Sequence, residues 1–256
     1  MGKKKISSAL QKKLNQKYHG KKIWLIGGSR GMGLALARLM ANAGADIILS
    51  ARTKPLDNSF PYQFLPLDVK HLATLTATCK KQKNLDGVIY MSGMHKQNLV
   101  CDLLEQDLFD IIAVNMQAPT LVAKIMAKDL DKRKGFFVIC GSLTSFIGAP
   151  LGQPYSASKA YLKNLVETMA MEYHNLHIHL LAPGFVRTAL VEQITMPMPF
   201  TMDADDASLE FAKRIMGRSL VIDFPFIITL FPVIWRMTPL RMKKILWLMI
   251  RKKTLL

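Results

Sequence analysis

Along residues 21–225, short apolar runs alternate with stretches whose apolar positions recur at a helical period. The runs are Ile23 to Ile26, Ile47 to Ser50, Phe64 to Val69, Leu85 to Met91, Gly135 to Cys140, Leu176 to Ala182 and Leu220 to Phe224. Between them, Leu34 to Met40, Leu72 to Cys79, Leu99 to Ile125 (with a break near Pro119), Tyr155 to Tyr173 and Asp203 to Gly217 carry helical spacing. Strand followed by helix, repeated, calls for a parallel sheet covered on both faces. The pattern therefore predicts a single α/β domain, doubly wound, with a predominantly parallel sheet of about seven strands. No repeat or interdomain linker interrupts it.

A chain of 256 residues, 50% of them apolar, can bury one substantial core. Its formal charge of +17 would point to nucleic acid or a membrane, so where the charge sits decides its meaning. Lys3, Lys4, Lys5, Lys12, Lys13, Lys17, Lys21 and Lys22 lie at one end, and Arg236, Arg241, Lys243, Lys244, Arg251, Lys252 and Lys253 at the other. Neither segment holds an acid, and the stretch between them is close to neutral, so no nucleic-acid face is expected. Cys79, Cys101 and Cys140 are odd in number and lack metal-ligand spacing, which predicts reduced, buried, structural thiols in a cytoplasmic protein. His177 and His179 share a strand face without a third ligand and read as structural, so no metal is expected. Residues 1–20 lack the apolar core of a secretory signal, and Ile6 stands where a myristoylation motif requires Ser or Thr.

The candidate chemistry sits at the ends of the strands. The first ends in Gly27-Gly28-Ser29-Arg30-Gly31-Met32-Gly33 and a helix follows, the order of a phosphate-binding βα unit. Glycines at 27, 31 and 33 permit a tight turn and close approach of a pyrophosphate, and the helix N-terminus supplies N–H donors. The second strand runs into Ser50-Ala51-Arg52, with no acid where an NAD site places one; Arg52 and Arg30 could instead pair with the 2′-phosphate of NADP. Ser92-Gly93 ends the fourth strand at the sheet edge where ligands bind. Tyr155 and Lys159, four residues apart at a helix start, share one helix face. An ammonium beside a phenol favours the phenolate and equips the tyrosine as a general acid/base. Ser142 ends the fifth strand, and a loop rich in Gly and Pro can fold it back to Tyr155. Asn115 lies among Ile111, Ile112, Val114 and Met116, where its amide needs a backbone or water partner.

From about Lys21 to Leu190 these residues resemble the short-chain dehydrogenases/reductases, which implies a Rossmann-type fold. Gly27, Gly31 and Gly33, with Ser29, Arg30 and Met32 between them, are similar to that family's cofactor turn, although Ile26 replaces the usual Thr. Asp68-Val69 resembles the pair beside the adenine, and Asn115, Ser142, Tyr155 and Lys159 fall in the order of the catalytic tetrad. Pro183-Gly184-Phe185-Val186-Arg187-Thr188 resembles the segment that holds the nicotinamide carboxamide. One departure stands out: the family's Asn-Asn-Ala-Gly reads Tyr90-Met91-Ser92-Gly93, which removes hydrogen bonders from the sheet end. The resemblance implies that Tyr155 donates the proton in carbonyl reduction and Ser142 holds the carbonyl oxygen. It implies that Lys159 lowers the tyrosine's pKa and binds the nicotinamide ribose, while Asn115 orders a water linking that lysine to solvent. Arg52 and Arg30 make NADP(H) the expected cofactor, with NAD(H) second, and the resemblance also implies a homodimer or homotetramer built through residues 99–128 and 155–173.

The C-terminal third is more individual. Val191 to Met202 carries Met196, Met198 and Met202 with Pro197, Pro199 and Phe200; as part of a substrate loop at about 188–208 it suits a pliable apolar substrate, and otherwise it is ordinary core. Leu220 to Trp235 is apolar but broken by Asp223, Pro225 and Pro232, too short and interrupted for a membrane span. Beyond Thr238, bases alternate with apolar residues around Trp247, which predicts a basic amphipathic helix lying on anionic lipid, on the fold itself or on a subunit partner. The expected organisation is a basic lead-in (1–20), a catalytic body (21–225) and a hydrophobic, basic extension (226–256). The expected activity is NADPH-dependent reduction of an apolar ketone or aldehyde, lipid-derived ones included, or oxidation of the alcohol. The setting is the cytoplasm, with residues 1–22 and 239–256 meeting an anionic membrane face. The rival expectation is a catalytically silent NADP-binding redox sensor or a membrane-attached scaffold.

Overall fold

In the computed structural model, which describes residues 7–188 and 200–254, each apolar run supplies one strand of a single parallel sheet. The strands are β1 (Lys22–Ile26), β2 (Asp46–Ala51), β3 (Gln63–Pro66), β4 (Gly87–Tyr90), β5 (Phe136–Cys140), β6 (His177–Pro183) and β7 (Val221–Phe224), in the order β3-β2-β1-β4-β5-β6-β7. β1 is flanked by β2 on one side and β4 on the other, both parallel to it. Chain growth reverses there, so a crevice opens beyond the C-terminal ends of β1 and β4, where open α/β sheets bind their ligands.

Successive side chains of a strand point to opposite faces, and β1 feeds both layers of core. Trp24 and Ile26 join Val88, Phe137 and Ile139 on one face, while Ile23 and Leu25 join Ile89, Phe136 and Val138 on the other. The first face is covered by α3 (Leu72–Lys81), α5 (Ala118–Lys132) and α6 (Tyr155–Glu172), through residues such as Leu75, Val122 and Leu162. The second is covered by α1 (Ser8–Tyr18), α2 (Gly31–Asn42) and α7 (Ala204–Arg214), through Leu14, Leu36 and Phe211.

Several expectations are corrected. The irregularity in the long helical stretch is not at Pro119: α4 (Glu105–Ile112) passes through a π turn at Ala113–Gln117 into α5. Pro119 follows that turn, inside the continuous helical run. Within the expected basic lead-in, Ser8–Tyr18 forms the helix α1. Leu10, Leu14 and Tyr18, four residues apart, turn one face of α1 onto the core; Tyr18 is fully buried and donates its hydroxyl to Ala212 O at 2.6 Å. Lys17 Nζ donates to Lys213 O and Ile215 O, at 2.7 and 2.6 Å, and so closes the C-terminal end of α7. Cys101 is exposed, unlike buried Cys79 and Cys140. His179 is structural as expected: its Nε2 accepts from Met216 N at 2.9 Å and its Nδ1 donates to Ser219 O at 2.7 Å. Burial pulls its pKa down to about 4, so it stays neutral.

After β7, α8 (Phe226–Met237) rests on β7 and on the short turn Leu143–Ser145, and α9 (Leu240–Thr254) follows. Lys243 of α9 lies over the Trp235 ring of α8, 5.8 Å from its centre. Leu230, Phe231, Val233, Ile234, Met237 and Leu240 on these helices are exposed.

Candidate functional site

The crevice is built first from backbone. Gly27 N–H donates to Ser50 O at 2.7 Å, tying the end of β1 to β2. Gly27 has a φ of +92°, and a Cβ there would collide with the backbone nitrogen of Ser92, so only glycine fits between the turn and the end of β4. A Cβ on Gly33 would come within 2.5 Å of Gly27 O, which lets α2 start hard against the turn. The first turn of α2 has neither a side-chain cap at Arg30 nor an acid, leaving its N–H groups and positive dipole for an anion.

Around this turn the structure gathers most of the expected cofactor residues. A Cβ on Gly31 would stand 3.2 Å from Thr188 Cγ2, which brings the segment after β6 across to the turn. Pro183 ends β6, Gly184 N donates to Phe224 O at 2.9 Å, and Val186 is buried and bridged to Met202. Met32 O accepts from Ser208 Oγ at 3.0 Å, so α7 holds the turn from behind. Ser29 is half-buried within the turn. At the end of β2 no carboxylate is present: buried Ser50 accepts from Trp24 Nε1 at 2.9 Å, and Arg52 follows, exposed like Arg30. Beyond β3, Asp68 Oδ1 accepts from Lys70 N at 3.0 Å and Val69 is buried. The uncapped start of α2 beside the glycine turn suits the pyrophosphate of a dinucleotide. Of the expected substrate loop, residues 189–199 lie outside the described residues, and 204–208 belong to α7 rather than to a loop.

The second half of the site hangs on Asn115. It has no exposed surface; its Oδ1 accepts from Met94 N, and its Nδ2 donates to Met94 O and Ser158 Oγ, each at 2.9 Å. Its expected backbone partner is therefore Met94, and Asn115 itself lies within the π turn. A Cβ on Gly93 would stand 3.5 Å from Lys159 Nζ and 3.9 Å from Asn115 Oδ1, so Gly93, Asn115 and Lys159 meet at one point. The departure at Tyr90 is compensated, since its buried hydroxyl donates to Val114 O at 2.6 Å and ties β4 to the π turn.

Ser142 opens the Leu143–Ser145 turn in a reciprocal cap: its Oγ accepts from Thr144 N and its N–H donates to Ser145 Oγ, both at 3.2 Å. That cap holds the Ser142 side chain at the end of β5, on the turn that packs against α6. Lys159 is buried, donates from Nζ to Cys140 O at 2.7 Å, and lies 5.4 Å from the centre of the Tyr155 ring. Here the expectation that Lys159 lowers the tyrosine's pKa is not met. Burial pushes the Tyr155 phenol up, Cys140 adds to the rise, and the Ser142 hydroxyl opposes it. Burial pulls Lys159 down, Cys140 opposing. The ammonium is turned to a carbonyl rather than to the phenol, and desolvation governs both groups.

One residue of the site was missed. His95 lies edge-on to the Tyr155 ring, with centroids 4.7 Å apart and planes at 90°, and its Nδ1 is buried. The only signal available was a histidine just past Gly93, the strand end already singled out.

The similarities to known proteins agree with this geometry. Residues 21–198 match the family model described as short chain dehydrogenase. Gluconate 5-dehydrogenase of Gluconobacter oxydans is 27% identical over 198 residues, covering 71% of this chain and 77% of that protein. A 3-oxoacyl-acyl-carrier-protein reductase of Rickettsia prowazekii is 26% identical over 185 residues, covering 68% and 76%. Among solved structures, a gluconate 5-dehydrogenase from Burkholderia cenocepacia J2315 in complex with NADP and tartrate shares the fold with a TM-score of 0.72 at 21% identity, covering 83% of this chain and 96% of that one. A short-chain dehydrogenase from Sphingobium yanoikuyae in complex with NADPH gives 0.72 at 22% identity, covering 80% and 88%. With its sheet order, its glycine turn and a family match over more than half its length, the chain belongs to the short-chain dehydrogenases, oxidoreductases acting on CH–OH and C=O groups.

Proposed function

We propose that the chain is an NADP(H)-linked reductase of ketones or aldehydes with an apolar body, lipid-derived ones included, or runs the reverse oxidation, with Tyr155 as the general acid/base. The observation that carries this reading is that Lys159 lies against the Tyr155 ring and bonds Cys140 O at the end of β5, two residues before Ser142. The cofactor, when bound, supplies the hydride. Ser29 to Gly33 would hold its pyrophosphate, Arg30 and Arg52 its 2′-phosphate, Asp68 and Val69 its adenine, and Ser92, Gly93 and Pro183 to Thr188 its nicotinamide end. Ser142 and Tyr155 present a hydroxyl pair to the substrate oxygen, where negative charge grows as the carbonyl is reduced. Tyr155, kept protonated by burial, gives that oxygen its proton. Lys159 and Asn115 hold the geometry behind it.

The apolar preference is this chain's own. Relatives named for gluconate and for 3-oxoacyl groups place both polar and acyl substrates on the same scaffold. The surface of α8 and α9 supports an apolar source: exposed Leu230, Phe231, Ile234 and Met237 adjoin a stretch with bases and no acid after Asp223. Such a face suits anionic lipid, and α8 touches the turn that carries Ser142. The membrane-facing segment in this reading is 239–256. Residues 1–22 contribute less, because α1 is docked on the core.

The test is oxidation of NADPH with a panel of medium- and long-chain ketones and aldehydes. Tyr155→Phe should lower kcat at least about a thousandfold while NADPH affinity stays within about threefold. Binding of NADPH without turnover of any carbonyl, or full turnover by Tyr155→Phe, overturns the reading.

A further inference from the structure

Among the described residues, eighteen large apolar side chains are exposed, and eleven of them fall within residues 230–249. On α8 they form a stripe of Leu230, Val233, Ile234 and Met237; on α9 they form a second, of Met242, Ile245, Leu246 and Met249. Spacings of three, four and seven place each set on one face of its helix. Soluble surfaces scatter such residues singly, and a gathered patch marks an interaction site.

Charge says what covers the stripes. From Arg236 onward the sequence carries seven bases and no acid. A second copy of the chain would set those bases against each other. An anionic lipid surface meets both needs, since its headgroups pair with the bases while its acyl region takes the apolar faces. With 12 and 15 residues, α8 and α9 each fall short of the roughly 20 that cross a bilayer, so they lie along it. The two also meet at their junction. Thr238 closes α8, donating from its N–H and its hydroxyl to Ile234 O at 3.0 and 2.8 Å, and Lys243 then stands over the Trp235 ring.

The place of α8 in the fold gives this surface its use. It starts directly after β7, whose last residue, Phe224, pairs with Pro183 at the carboxyl edge of the sheet where the crevice opens. It rests on the turn that Ser142 caps, and that turn packs on α6, which carries Tyr155 and Lys159. Resting on the reductase reading above, we propose that an anionic bilayer seats both stripes and so holds the substrate side of the site against lipid. The carbonyl then reaches Ser142 and Tyr155 from the bilayer rather than from water.

The experiment has a binding arm and a turnover arm. Trp235 and Trp247 lie on α8 and α9, whereas Trp24 is fully buried in the core, so the chain's own fluorescence reports on the two helices. Vesicles of brominated phosphatidylcholine with a minority of phosphatidylserine should quench it strongly, and brominated phosphatidylcholine alone should quench it far less. Ile234→Glu combined with Ile245→Glu places a carboxylate in each stripe, at side chains that are 63% and 58% exposed and on which the fold does not depend. This double variant should bind the vesicles about a hundredfold more weakly. With NADPH, the wild type should reduce 2-nonadecanone carried in the vesicles at least about tenfold faster than the double variant, while both reduce 2-octanone in water equally. Absent quenching, quenching unchanged in the variant, or neutral vesicles as effective as anionic ones overturns the proposal. So does 2-nonadecanone that both proteins reduce equally, or that neither reduces while 2-octanone turns over. A lipid-free dimer that the double variant abolishes and vesicles do not displace would give the face to a second copy instead. Seating on vesicles without NADPH oxidation by any ketone or aldehyde of the panel above would leave this surface standing and overturn the reductase reading. Matching thermal midpoints of the two proteins exclude unfolding as the cause.

Discussion

Replacing Asn115 by leucine tests how far the site and the fold share one support. The amide is fully buried and makes three hydrogen bonds of 2.9 Å, with Met94 N, Met94 O and Ser158 Oγ. Leucine has similar bulk and offers none of them. Ser158 loses least, because its hydroxyl still donates to Tyr155 O at 2.6 Å. The Met94 N–H and C=O lose their side-chain partner, and a stranded backbone group costs about 1–3 kcal/mol. Met94 is only half-buried, so each of its groups belongs at the low end of that range. With a smaller loss at Ser158 and some gain from a more apolar side chain, Asn115→Leu should destabilise by about 2–3 kcal/mol. Urea unfolding followed by far-ultraviolet circular dichroism, with both proteins at the same concentration, measures it. A loss below about 0.5 kcal/mol would refute the idea that this amide holds the segment before His95 in place.

Arg52→Ala should weaken NADPH about tenfold, the loss expected for one exposed charge-assisted pair, and leave NADH within about twofold, read by cofactor fluorescence; equal loss for both cofactors would show that Arg52 does not read the 2′-phosphate. His179, with its folded pKa of about 4 below the ordinary 6.5, favours folding fully above pH 6.5 and loses that contribution as pH falls towards 4. The slope is roughly 1.4 kcal/mol per pH unit and about 3 kcal/mol in all, and His179→Asn should unfold in urea with a flatter pH dependence over that window; an identical slope would count against a neutral buried imidazole. Vesicles containing phosphatidylserine should float the full chain and lose at least about ninety per cent of it when residues 239–256 are removed or salt is raised; undiminished flotation of the truncated chain would place the lipid contact elsewhere.

The sheet was legible because seven apolar runs separated by helical spacing leave few other arrangements, and all seven became strands in parallel register. Their bounds were less legible. The third run was expected to reach Val69 but leaves the sheet after Pro66, since the pairing partner β2 ends at Ala51. The tyrosine, lysine, serine and asparagine were readable from residue type and order. What their neighbours do to them was not. The pKa of Tyr155 is set by burial and by the Cys140 contact, and a helical spacing of four says nothing about which carbonyl the lysine turns to. His95 escaped for the same reason, since its meaning comes from a ring met across the crevice. The docking of α1 is legible in Leu10, Leu14 and Tyr18, which lie on one helix face among the lysines.

The link between α1 and α7 also has a consequence for synthesis. Tyr18 and Lys17 find their acceptors at Ala212, Lys213 and Ile215, sequence separations of 194 to 198 residues. These three bonds of α1 can therefore form only once the chain has been made as far as Ile215. Because α7 packs along α2 and Ser208 bonds to Met32 O, the late docking of α1 also completes the backing of the glycine turn. The beginning and the end of the body close on each other, and a nascent chain halted before Ile215 would have its phosphate-binding turn in sequence but not yet braced in space.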